Sequence, residues 1–265
     1  MARSPRRTGR RHPMASAALI VLGLVVTGGA YAAVSTAASA TATTSTAASQ
    51  ESIEAGQALF QSNCATCHGM NAEGTSIAPS LVGVGAASVD FQVGTGRMPM
   101  QATGPQAPAK PVQFTEEQIQ QLADYVASLG PGPEIPSESL TSGGGDAANG
   151  AELFRINCAM CHNVAGAGGA LTEGKYAPNL QAVTGQHIYE AMVVGPQNMP
   201  VFSDMNLTPE DKRDIITYLL YIQNNQSPGG LNLGDLGPVA EGLFAWIFGL
   251  GSLVLITIWI TAKSN

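Results

Sequence analysis

Four cysteines and two histidines carry the first chemistry in this chain. They stand as Cys64-Ala65-Thr66-Cys67-His68 and Cys158-Ala159-Met160-Cys161-His162. Two thiols at this spacing can form thioethers to the two vinyl groups of a haem. The histidine that follows can reach the iron from one face of the ring. This is the attachment signature of a c-type haem. A bare Cys-x-x-Cys would equally serve a zinc site or a redox dithiol. Here the histidine follows both times, and the 4 cysteines of the chain are all used. A zinc site made of the four thiolates would leave both histidines without a role. The reading is two covalently bound haem c groups, held by Cys64 and Cys67 and by Cys158 and Cys161, with His68 and His162 as axial ligands.

The flanks repeat with the motifs. The run from Gly56 through Leu59-Phe60 to Asn63-Cys64 matches that from Gly150 through Leu153-Phe154 to Asn157-Cys158. Downstream, Ala78-Pro79-Ser80-Leu81 matches Ala177-Pro178-Asn179-Leu180, and Met98-Pro99 matches Met199-Pro200. Phe114-Thr115-Glu116-Glu117 is echoed by Leu207-Thr208-Pro209-Glu210. A repeat of this length is a tandem duplication of one structural unit.

Helices must position these residues. Gly56 and Phe60 are four apart, as are Gly150 and Phe154, so each pair shares one face of a helix leading into its motif. A second helix in each unit begins at Thr115 or Thr208. Gln118 completes a capping box in the first copy, and acids fill the first turn of both. Ile119, Leu122, Val126 and Leu129 form an apolar stripe at helical spacing, and Ile215, Ile216, Leu219 and Ile222 form another. The stretches between are rich in Gly and Pro and show no strand alternation. The fold class is all-α. A unit of about 80 residues buries a modest share of its surface, and a covalent haem would supply the missing apolar core.

These features make residues 51 to 226 resemble two class I cytochrome c domains. In that family the glycine and aromatic of the first helix pack against an aromatic of the last, which places Tyr125 and Tyr218 as the partners. The resemblance also implies a methionine before proline as the sixth iron ligand, here Met98 and Met199. The first unit offers Met100 as well, in Arg97-Met98-Pro99-Met100. Met98 is preferred because it precedes proline and aligns with Met199. Met70, Met160, Met192 and Met205 are competitors. His187 reads as a surface or satisfied core histidine. A His/Met pair raises the potential of a c-type haem and suits electron transfer.

Both ends are apolar. Five arginines precede a stretch from Met14 to Val34. It is either a signal segment, with Ala30-Tyr31-Ala32 as a cleavage site, or a retained anchor. The stretch from Gly242 to Ile260 is apolar almost throughout, with Trp246 and Trp259 near its two ends and Lys263 beyond. It is a membrane-spanning helix. The organisation expected is a basic N-terminus (1–13), a hydrophobic segment (14–34) and a Ser/Thr/Ala tether (35–50). Then come domain 1 (51–130), a Gly/Pro/Ser linker (131–145) and domain 2 (146–227). A linker (228–240) and the spanning helix (241–261) complete it. The haem domains are expected on the outer face, with the termini cytoplasmic if the first segment is retained.

All 19 acidic residues lie between Glu51 and Glu241, against six basic ones, a balance of −13. This excludes nucleic acid as a partner and suits a basic redox protein. The Pro-rich stretch 102–113 inside the first unit is either a docking surface or simple loop variation. The whole layout resembles the dihaem cytochrome c subunit of actinobacterial cytochrome bcc complexes. That resemblance implies a subunit of a quinol–cytochrome c reductase, with no substrate chemistry of its own. Its partners would be cytochrome b, the Rieske iron–sulfur subunit and an aa3-type cytochrome c oxidase, with electrons relayed from the Rieske centre to the oxidase. A subunit of another oxidase, such as a cbb3-type enzyme, a dihaem peroxidase and a gas sensor are the competing readings.

Overall fold

In the computed structural model, residues 18, 20–29, 48–225, 233 and 238–263 are described. The Arg-rich start, the Ala30-Tyr31-Ala32 site and most of the tether and of linker 228–240 lie outside them. Residues 1–49 form one unit, in which α1 (Ile20–Gly29) is a short apolar helix. Everything else belongs to a second unit.

The two repeats build the same helical scaffold twice. In domain 1, α2 (Gln50–Asn63) runs into the one-turn α3 (Ala65–His68), followed by α4 (Ala86–Gly94) and α5 (Glu116–Ser128). A short helix, α6 (Glu138–Thr141), precedes domain 2. There α7 (Ala147–Asn157), α8 (Ala159–His162), α9 (Gly185–Val194) and α10 (Pro209–Asn224) repeat the order. One departure from the all-helical expectation is small. Gly169–Ala170 (β1) and Tyr176–Ala177 (β2) pair as a two-residue antiparallel ladder. Two residues per strand are too few to show alternation in a sequence.

The apolar stripes become the cores. Ile119, Leu122 and Val126 on α5 are buried with Phe60, and Ile215, Ile216 and Leu219 on α10 are buried with Phe154. Capping sets where these helices start. Thr115 and Gln118 form the reciprocal box foreseen for α5. Thr208 and Asp211 form a second one at α10, where the shorter Asp substitutes for Glu or Gln.

Glycine lets the first and last helices of each domain cross closely. A Cβ at position 56 would lie 2.6 Å from the carbonyl carbon of Gln121 and 2.9 Å from Cβ of Tyr125. Gly150 meets the backbone of Asp214 and Ile215 in the same way. Beside each glycine an aromatic pair seals the crossing. Phe60 and Tyr125 have ring centroids 5.3 Å apart at 49°, and Phe154 and Tyr218 are 5.6 Å apart at 50°. These are the pairs that the cytochrome c resemblance implied.

The domains touch through α4 and α9. Asp90 of domain 1 accepts from Gln186 Nε2 (2.8 Å) and lies 3.8 Å from His187 Nε2. Among the described residues, one helix is long and apolar enough to cross a membrane. It is α11 (Val239–Ala262), of mean hydropathy 2.3.

Candidate haem sites

Each site starts at a helix end. The helix α2 or α7 delivers the first cysteine, and the single turn that follows brings the second cysteine and the histidine onto one side. Burial pushes the thiols of Cys64 and Cys158 up to about 11, helped by the neighbouring thiols of Cys67 and Cys161. Such thiols make poor thiolate ligands for a metal ion, but a thioether carries no charge and suits the same place.

The histidines are oriented by the duplicated Ala-Pro segments. His68 Nδ1 lies 2.8 Å from the carbonyl oxygen of Pro79, and His162 Nδ1 lies 3.0 Å from that of Pro178. A carbonyl only accepts, so each Nδ1 carries the proton and donates. Each Nε2 is left with its lone pair free for a metal. Burial lowers His162 from its ordinary value, against the carbonyl contact, which raises it. This keeps it neutral, as a ligand must be. The donor set therefore fits a haem iron. Sequence reasoning saw the Ala-Pro repeats without giving them this role.

The methionines stand on loops pinned by lysines. Met98 packs against the core of domain 1, and Met199 against that of domain 2. Lys110 Nζ donates to the carbonyl of Pro99 (2.6 Å). The buried Lys212 Nζ donates to Asp204 (2.5 Å) and to the carbonyl of Leu207 (2.9 Å), closing the loop beyond Met199. Met100 does not join the packed cluster around Met98. Met70 is exposed, and Met160 and Met205 are 92% and 97% exposed. Met192 is buried in the core of domain 2 and lines the cavity there.

That cavity measures about 340 Å³ and is bounded by Cys158, Cys161, His162 and Met199. Its walls are not all from domain 2. Phe91, Arg97 and Gln106 of domain 1 also line it. Stretch 102–113 lies against domain 2: Gln106 Nε2 donates to the carbonyl of Tyr176 and Tyr176 N donates back to Gln106 Oε1, both at 2.8 Å. The loop is thus an internal docking surface. His187 stands on the same wall, half-buried and edge-on to Phe91 at 6.2 Å. Sequence alone reads it as an ordinary core or surface histidine, because the domain it faces lies almost a hundred residues away.

Known proteins fit this geometry. Residues 53–130 match the family described as Cytochrome c, and residues 145–219 match cytochrome C oxidase, cbb3-type, subunit III. The chain is therefore a cytochrome built of two c-type domains, a make-up that indicates haem c as the cofactor. It is also similar over most of its length to three curated proteins, each called cytochrome bc1 complex cytochrome c subunit. That of Mycobacterium bovis is 42% identical over 99% of this chain and 95% of its own. That of Corynebacterium efficiens is 45% identical over 81% and 78%, and that of Corynebacterium diphtheriae 44% over 81% and 82%. The chain belongs to the family of cytochrome bc1 complex cytochrome c subunits, which are respiratory electron-transfer cytochromes.

Proposed function

We propose that this chain is the dihaem electron relay of a membrane-anchored cytochrome bc1-type complex. The observation that carries the reading is the doubled site. Each domain repeats a Cys-x-x-Cys-His turn whose histidine meets a proline carbonyl, together with a methionine on a lysine-pinned loop. One haem c would be held by Cys64 and Cys67 with His68 and Met98 as iron ligands. The other would be held by Cys158 and Cys161 with His162 and Met199. A bound haem supplies a reversible one-electron couple. The chain does the rest: it fixes the ligands, keeps water off the iron and holds both sites in one body through α4, α9 and the 102–113 loop.

Within the complex, the chain works beside cytochrome b, takes electrons from the Rieske iron–sulfur subunit and passes them to an aa3-type oxidase. It lies with its domains on the outer face of the membrane, held by α11. The acidic surface suits a basic redox partner. Pull-down of C-terminally tagged protein in mild detergent tests this directly. Cytochrome b, Rieske subunit and aa3 oxidase are expected to co-purify. Recovery of a cbb3-type oxidase instead would overturn the assignment. A long-wavelength Met–iron band in both oxidised haems, with no carbon monoxide binding on reduction, is expected and separates the relay from a peroxidase or gas sensor.

A further inference from the structure

The cavity of domain 2 is lined by a cation that no described residue neutralises. Arg97 belongs to domain 1, yet its side chain lines this cavity and is half-buried there. Among the described residues it makes no ion pair, and the contact its guanidinium does make is with the face of Phe91, 4.9 Å away. The other cation on the cavity wall, Lys175, lies 3.4 Å from Glu173. A guanidinium withdrawn from water with no anion beside it is costly. Its planar fork matches a carboxylate.

We infer that Arg97 is the counter-charge for a propionate of the haem held by domain 2, so that the second haem pocket is shared between the domains. The inference rests on the haem reading above. Walls such as Leu180, Ile188 and Leu219 suit the apolar ring. Arg97 stands on the wall that domain 1 contributes, beside Gln106 and the paired backbone of Tyr176. There a carboxylate gains a cation and neighbouring polar groups.

Two consequences follow. A fixed positive charge favours the form of the haem that carries the extra electron, so Arg97 raises the potential of the second haem. Arg97 is also peptide-bonded to Met98, the proposed ligand in domain 1. One dipeptide therefore reaches both redox sites, and the position of domain 1 bears on the potential of domain 2. Arg97 is a positioning and tuning residue in this scheme, and no iron ligand.

The test uses the full chain in detergent, with Arg97→Gln and Arg97→Lys. Haem content by pyridine haemochrome comes first. Two haems per chain in wild type uphold the cofactor reading, and fewer would overturn that reading and this one with it. The wave of the second haem is identified as the one displaced by Met199→His. In Arg97→Gln, the reduced-to-oxidised ratio of the second haem at fixed potential should fall about tenfold, about 59 mV for one electron. The first wave should move much less. Arg97→Lys keeps the charge and should stay within about threefold of wild type. An unmoved second wave in Arg97→Gln with both haems attached overturns the inference. So does an equal fall in Arg97→Gln and Arg97→Lys, because charge would then not be the agent.

Discussion

Replacing Gly56 by alanine sets two effects of opposite sign against each other. Alanine is the better helix former by about 1 kcal/mol in a helix interior, so propensity alone predicts a more stable protein. The structure predicts the reverse. The new Cβ would sit 2.6 Å from the carbonyl carbon of Gln121 and 2.9 Å from Cβ of Tyr125. Carbon atoms in good contact are about 3.5–4.0 Å apart, so α2 and α5 must separate by about 1 Å. A gap of that size forfeits a quarter to a half of each contact across the interface. The Phe60–Tyr125 pair lies directly beside it. Overpacking of this kind costs about 1–3 kcal/mol and occasionally more. Its neighbours are backbone and the root of a side chain, which cannot swing aside, so the upper end applies. After the propensity gain is subtracted, the net loss is about 2 kcal/mol. For a domain of this size that lowers the melting temperature by about 10 °C. Gly150→Ala should do the same to domain 2, whereas Gly104→Ala, whose Cβ would meet nothing nearer than 3.8 Å, should not. The assay is thermal unfolding of the holoprotein by circular dichroism. A melting temperature at or above wild type in Gly56→Ala would refute the close-crossing argument.

Four further outcomes are expected. Met98→Leu should open the reduced first haem to carbon monoxide while Met100→Leu leaves it closed, and the reverse pattern would transfer the ligand role to Met100. Met199→His should lower the potential of the second haem and slow oxidase-coupled respiration, and an unchanged redox titration would remove Met199 as the ligand. With all four cysteines changed to alanine, helix content by circular dichroism should collapse, because each domain is then left without part of its core. Glu190 is buried on α9 with Asp90, His187 and Gln186 around it. Burial, then the hydrogen bond and charge of Asp90, push its carboxyl up to about 9, with Gln186 acting the other way. The folded state therefore binds a proton that the unfolded state releases near 4.5, and stability falls as pH rises between those values. Burial lowers His187, so that group costs stability only as pH falls below about 6.5 and is without effect between pH 7 and 9. Between pH 7 and 9 wild type should lose up to about 1.4 kcal/mol per pH unit while Glu190→Gln stays flat. Parallel pH curves for the two proteins would show that Glu190 does not titrate there.

Much of the site was legible because its signals are local. Cys-x-x-Cys-His reports one turn of chain, and capping boxes and apolar stripes report single helices. The duplication then supplied a second reading of each feature. It marked Met199 and preferred Met98 over Met100, and it flagged Pro79 and Pro178 without explaining them. Their role depends on a carbonyl folding back 11 or 16 residues onto an imidazole nitrogen, which spacing does not encode. The capping box at Thr208 was missed because Asp211 stands where Glu or Gln is usual.

The sequence by itself therefore determined the cofactor class, the number of domains, the helices that carry them and the long apolar helix near the C-terminus. Each of these follows from residue types at short, fixed separations. Tertiary structure decided how the two domains serve one another. It set Asp90 against His187 and Gln186, laid the 102–113 loop on Tyr176, and put Arg97 into the cavity of the other domain. Those contacts join residues about 70 to 100 positions apart. No periodicity or motif spans such a distance, and only the packing of one domain on the other, through α4 and α9 and through the 102–113 loop, brings them together.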